Sequence, residues 1–169
     1  VEYTIKTAID DMVADLLKDS PRVIGFGVYI WNVNETLALM QAIKVASPQT
    51  ILIVGGPEVS YEVEQQAITK VADYVVTGWG EITLPQLLSA LIDGPKPLMK
   101  VHVGVQAKLE DLKTPYHLYT DHDLAHRNIY VEASRGCPFK CEFCLSSLDK
   151  TAWAFELDDF LSEMETLYQ

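Results

Sequence analysis

The sequence predicts an α/β fold: a doubly wound, flavodoxin- or Rossmann-like parallel sheet, followed by the opening β-α unit of a second domain. Three observations predict it. Apolar strand-like runs alternate with amphipathic helical stretches in a β-α-β-α-β-α rhythm with short connections. Each run ends in a glycine-containing turn, so the turns collect at the carboxyl ends of the strands, where such sheets bind ligands. All three cysteines of the 169 residues then fall in one loop near the end of the chain.

In order, residues 4–17 place Ile5, Ala8, Ile9, Met12, Val13, Leu16 and Leu17 on one helical stripe with Asp10, Asp11 and Asp15 off it. Asp19-Ser20-Pro21 stops that helix. Residues 23–29 are almost continuously apolar, as expected of a strand buried on both faces. Asn32 or Asn34 can cap the next helix, which runs to about Ala46 and stops at Ser47-Pro48. A second strand at 51–54 opens into Gly55-Gly56-Pro57-Glu58, and a helix is expected over 61–71. A third strand at 74–76 opens into Thr77-Gly78-Trp79-Gly80-Glu81, followed by a helix over 82–91. Such alternation implies right-handed crossovers. Asp93-Gly94-Pro95-Lys96-Pro97 reads as a break, and 99–103 as a short strand outside the alternation. Residues 109–128 read as a polar connector, 129–133 as a strand and 157–167 as an amphipathic helix. The expected domains are 1–98, a linker 99–128, and 129–169.

The glycine turns suit close backbone approach to a ligand, beside helix N-termini that offer free N–H groups to a phosphate or nucleotide-like tail. Tight strand-to-helix turns favour glycine without any ligand as well. A dinucleotide fingerprint is absent, because Ile30 and Thr83 stand where its third glycine would be. The loop Arg135-Gly136-Cys137-Pro138-Phe139-Lys140-Cys141-Glu142-Phe143-Cys144 has the spacing CxxxCxxC, which lets one short segment wrap three thiolates around an iron-sulfur cluster. Three thiolates leave one iron of a four-iron, four-sulfur cluster open to an amine and carboxylate. A structural zinc site completed by one histidine is the alternative, in a non-enzymatic small-ligand-binding module. His102, His117, His122 and His126 are available, but none is at finger-like spacing.

The cysteine loop resembles that of the radical S-adenosylmethionine (radical SAM) family, and Ser134-Arg135-Gly136 resembles its usual lead-in. The resemblance implies that Cys137, Cys141 and Cys144 hold the cluster and that S-adenosylmethionine binds its open iron. One electron then cleaves the cofactor to a 5′-deoxyadenosyl radical. Phe143 takes the place of the aromatic residue whose backbone meets the adenine, and residues 129–169 become the start of the family's barrel. Gly55-Gly56-Pro57-Glu58 and Gly78-Trp79-Gly80-Glu81 resemble the turns of the cobalamin-binding domain found ahead of many radical SAM domains. Carried over, Gly25, Gly27, Gly55, Gly56, Pro57, Gly78, Gly80 and Glu81 become the cobalamin-binding positions. Histidine ligation of cobalt is not implied, since no Asp-x-His-x-x-Gly segment is present. The expected parent is a cobalamin-dependent radical SAM enzyme performing methyl transfer or oxidative cyclisation on a small molecule, supplied by an electron donor of the flavodoxin or ferredoxin type.

A net charge of −11 argues against nucleic-acid and anionic-membrane partners, and no apolar run has the length of a membrane span. The odd cysteine count and the lack of a signal peptide point to a cytoplasmic setting without a structural disulfide. The chain begins with Val1, which together with the resemblance marks it as a piece of a longer protein. The elements that the resemblance puts ahead of residue 1 include the strand that should flank 23–29. Without it, that strand is an open edge, and self-association is expected.

Overall fold

The computed structural model describes residues 3–4, 6–139, 141–144 and 152–168. Ile5 of the first helical stripe and Lys140 of the cysteine loop lie outside the described residues. The chain divides into two compact units, Val1–Gln106 and Ala107–Gln169.

The first unit is a four-stranded parallel sheet in the order β1-β2-β3-β4, with β1 Val23–Gly27, β2 Ile51–Gly55, β3 Tyr74–Thr77 and β4 Val101–Val103. Pairing is in continuous register, Val23 with Ile51, Ile53 with Tyr74, and Val75 with Val101. Residues 99–103 are therefore not a strand outside the alternation. Their last three residues complete the sheet, and the first unit extends past the expected boundary at residue 98.

Alternation along the strands sorts their side chains to two faces. On one, Ile24, Leu52, Val54 and Val75 meet Leu39, Met40 and Ile43 of α2 (Val33–Ala46) and Ile68 of α3 (Ala67–Val71), with Met12, Val13 and Leu16 of α1 (Ile9–Leu17) packed alongside. On the other, Ile53, Tyr74 and Val76 meet Leu87 and Leu91 of α4 (Thr83–Asp93). Met40, Ile43, Leu52 and Val54 are completely buried. Each such side chain contributes roughly 1.5–3 kcal/mol through burial. Asp73 ties the amino ends of β2 and β3, because its Oδ2 accepts from the Leu52 N–H at 2.7 Å and from Lys44 Nζ at 2.6 Å.

Helices on both faces confirm the doubly wound α/β class, yet the crossovers do not share one hand. The chain steps the same way along the sheet three times, with α2 and α3 on one face and α4 on the other, so the β3-α4-β4 connection is opposite in hand to the two before it. The apolar face of Ile53, Tyr74 and Val76 needs a cover, and α4 supplies it. Two further expectations are corrected. β3 is buried at all four residues, but β1 is not buried on both faces: it is an edge strand on which Gly25 and Gly27 are exposed. The helix expected over 61–71 is shorter: Val63–Gln65 is a 3-10 turn, preceded by another at Glu58–Ser60, and only Ala67–Val71 is α-helical.

The second unit holds α5 (Asp121–His126), a two-stranded antiparallel pair β5 (Ser134–Gly136) and β6 (Ala152–Ala154), and α6 (Leu157–Tyr168). The expected linker thus contains a helix, and its Tyr116 is buried. The strand expected at 129–133 is displaced to β5. Residues 129–133 instead have their backbone bonded to two tyrosine hydroxyls. Tyr116 Oη accepts from Glu132 N at 2.7 Å and donates to its carbonyl at 3.3 Å, while Tyr119 Oη accepts from Tyr130 N at 3.3 Å and donates to its carbonyl at 2.9 Å.

Candidate functional site

At the carboxyl end of the sheet the turns after β1, β2 and β3 are tied to one another by backbone and hydroxyl bonds. Val28 N donates to the Gly55 carbonyl at 2.7 Å, and Glu58 N donates to the Val28 carbonyl at 3.3 Å, so the first two turns share backbone bonds. This is possible because residue 56 is glycine: its φ is +116°, and an added Cβ would lie 2.5 Å from the Val28 oxygen. Ser60, at the end of the 3-10 turn, bridges the next pair. Its Oγ donates to the Gly56 carbonyl at 2.8 Å and accepts from Gly78 N at 2.9 Å.

Asn32 does not cap α2 through its side chain. Its Oδ1 accepts from Tyr29 N at 2.8 Å and its Nδ2 donates to the Gly27 carbonyl at 3.0 Å, which folds the β1 turn back on itself. That turn presents Trp31, 73% exposed, with its ring stacked on Tyr29 at 4.6 Å between centroids. On the far side, Thr83 at the start of α4 accepts from Val105 N at 2.9 Å. Gly104 N donates to the Thr77 carbonyl at 2.7 Å.

The structure brings Gly27, Gly55, Gly56, Pro57, Gly78, Gly80 and Glu81 to this end of the sheet, with Gly78, Pro57 and Glu81 exposed. Gly25 is different. It pairs with Ile53 inside the strand, two residues before the turn, and an added Cβ there meets nothing within 4 Å. Ser60 and Gly104 were not singled out by sequence reasoning, and Asn32 was expected only as a possible helix cap. The turns fit a corrinoid or its nucleotide tail in one respect that the structure displays: at Gly78 and Gly80 a Cβ would point into open space, so the backbone can be approached closely. No histidine belongs to these turns. His102 lies in β4, where its Nε2 bonds the Met99 carbonyl and its ring tilts against Tyr74. A cavity of about 370 Å³ opens at the opposite, amino end of the strands, beside Arg22, Thr50 and Lys96. Arg22 there bonds the carbonyls of Leu91 and Ile92 at the end of α4.

In the second unit, β5 delivers the cysteine loop. Gly136 has φ +81°, and Cys137 and Cys144 are half-buried while Cys141 is exposed. None of the three is in a disulfide, and Cys144 N donates to the Cys141 carbonyl at 3.2 Å, curling the CxxC segment. Among the described residues no three His, Cys, Asp or Glu side chains are gathered closely enough to hold a metal ion. The donor set itself suits an iron-sulfur cluster or zinc, three thiols within eight residues. Phe143 is 94% exposed beside them. His122 and His126 stack on each other along α5, with rings 4.5 Å apart, and His117 is exposed.

A doubly wound sheet with its glycine turns tied together at the carboxyl end defines a ligand-binding α/β domain of the open-sheet class. The family model described as the B12 binding domain matches residues 1–88, and the chain belongs to that family. Three curated relatives share its pattern. The chain is 33% identical over 107 residues to the "Uncharacterized methyltransferase sll1242" of Synechocystis sp., covering 63% of this chain and 19% of that protein. It is 27% identical to the "Cobalamin-dependent radical SAM methyltransferase TokK" of Streptomyces tokunonensis, covering 73% and 22%. It is 28% identical to the "Hopanoid C-3 methylase" of Methylococcus capsulatus, covering 84% and 31%. The resemblance to radical SAM proteins with a cobalamin-binding domain is borne out at the level of family. The chain spans 19% to 31% of the length of these relatives.

Proposed function

We propose that this chain is part of a cobalamin-dependent radical SAM enzyme, acting by methyl transfer or oxidative cyclisation on a small molecule. The methyltransferase names of its relatives favour methyl transfer. The observation that carries the reading is the presence on one chain of a B12-binding sheet and a loop of three free cysteines. When bound, a four-iron, four-sulfur cluster would supply the electron that cleaves S-adenosylmethionine, and cobalamin would carry the methyl group.

The chain's own residues have separable roles. Cys137, Cys141 and Cys144 supply three thiolates and leave a fourth position for S-adenosylmethionine, with Phe143 beside it. Gly27, Gly55, Gly56, Pro57, Gly78, Gly80 and Glu81 offer backbone and carboxylate to cobalamin, and Gly25 leaves the sheet bare behind them. The proposal includes a flavodoxin- or ferredoxin-type electron donor and a cytoplasmic setting, and it reads residues 129–169 as the start of the radical SAM domain. Among the described residues no helix is long and apolar enough to cross a membrane.

Anaerobic reconstitution with iron and sulfide tests this reading. A brown protein with broad absorption near ~400 nm is the expected result, as for thiolate-held iron-sulfur centres. One tightly held zinc per chain with exclusion of iron would overturn it in favour of a zinc-stabilised binding module.

A further inference from the structure

We infer that Ser60 is a positioning residue that locks the β2 and β3 turns to each other and so sets the surface they offer to cobalamin. The inference rests on the cofactor reading above. Ser60 is half-buried at the end of the 3-10 turn Glu58–Ser60, and its single hydroxyl joins two glycines in the turns that follow different strands. Both glycines hold positive φ, +116° at Gly56 and +67° at Gly78. A glycine in that region is the least restrained residue a turn can use, so something outside its own backbone must select the conformation. Gly56 is already confined by Val28, which sits against it. At Gly78 an added Cβ would meet nothing within 4 Å, and its amide is held by the bond to Ser60.

The hydroxyl has one proton, committed to the Gly56 carbonyl, and a lone pair committed to the Gly78 N–H. Ser60 therefore acts through the two turns and does not itself donate to a ligand. The Gly78 N–H is likewise consumed within the protein. Threonine can make both bonds and alanine neither.

The test uses the full chain as wild type, Ser60→Ala and Ser60→Thr. In Ser60→Ala the Gly78 amide should exchange with solvent about tenfold faster while the Val75 amide of β3 keeps its protection. Hydroxocobalamin, titrated by equilibrium dialysis, should bind about fivefold more weakly or worse, the factor expected for loss of one hydrogen bond. Ser60→Thr should restore both values. Unchanged Gly78 exchange in Ser60→Ala overturns the inference, as does weakened cobalamin binding that Ser60→Thr fails to rescue. A wild-type chain that takes up no hydroxocobalamin counts against the proposed cofactor, and the Gly78 exchange then decides the lock by itself.

Discussion

At Gly56 the turn after β2 runs against Val28 with no room for a side chain, which makes it a sharper probe than its neighbours. Gly56→Ala must strain a φ of +116° and push a Cβ into the Val28 carbonyl, so it should destabilise the first unit by roughly 2 kcal/mol or more. Gly25→Ala meets nothing within 4 Å and should change the urea midpoint little. If both variants unfold at the wild-type midpoint, the close approach at Gly56 is wrong. In the cysteine loop, replacing any one of Cys137, Cys141 or Cys144 by alanine is expected to abolish cluster retention while the sheet stays folded, measured as iron per chain beside far-ultraviolet circular dichroism. Asp123 supports a pH prediction. Bonds from the Thr120 hydroxyl and then its backbone N–H hold the Asp123 carboxyl below the usual carboxylate range, as part of the capping box that starts α5. Because the folded-state pKa is depressed, this contribution is fully present above the ordinary value of about 3.8 and fades as pH falls through the folded value. Helix α5 should keep its cap above the ordinary carboxylate value and lose it only as pH falls through the lowered folded value, followed by the amide shift of Asp123. The glycines at these turns were legible in the sequence because positive φ and close approach select one residue type. Ser60 was not, because its bond to Gly78 closes only once strands apart in sequence lie side by side, and Asn32 was read as a helix cap whereas its side chain bonds back to Tyr29 and Gly27 of its own turn.

Elements were legible where burial alone defines them. β2, β3 and α2 stand where apolar periodicity puts them, since both faces of the inner strands are covered. Elements went astray where local chemistry competes with periodicity. Residues 129–133 have the composition of a strand but no strand beside them among the described residues, and the hydroxyls of Tyr116 and Tyr119 take the place of a neighbour. Those hydroxyls bond both backbone groups of residues 130 and 132, which lie on one edge of an extended segment. Replacing both tyrosines by phenylalanine removes these bonds and little else. The amides of Tyr130 and Glu132 should then exchange at least tenfold faster, with the amide of Val131, which points to the other edge, little affected. Equal acceleration of all three would mean that the segment is held by something other than the hydroxyls. The short α3 has a similar cause: the Gln66 amide bonds the Glu58 and Tyr61 carbonyls, and Thr69 Oγ1 bonds the Val63 carbonyl, so the chain ahead of α3 is held as turns.

For the whole chain, the alternation of strands and helices made the α/β class readable, while the hand of the last crossover was not, because it depends on which face still lacks a cover. The same sheet bears on association. β1 pairs only with β2, so its outer edge presents backbone groups without a neighbouring strand among the described residues. Such edges promote pairing with another chain, although a net charge of −11 opposes the approach of two copies. The chain is expected to form a dimer or larger species at micromolar concentration, more readily as added salt screens the repulsion. Light scattering that finds a monomer at both low and high salt would refute this.

Gly104 acts at the opposite edge of that sheet. A Cβ at this position would lie 2.1 Å from the Trp79 carbonyl oxygen and 2.4 Å from that of Thr77. β4 has only three residues, and so short a strand has little pairing energy with which to choose its alignment. Sliding it by one residue in either direction would bring Val103 or Val105 to the place where no side chain fits. A single missing methyl group thus works as a key that admits β4 in one alignment, and through that alignment fixes where the chain leaves the sheet.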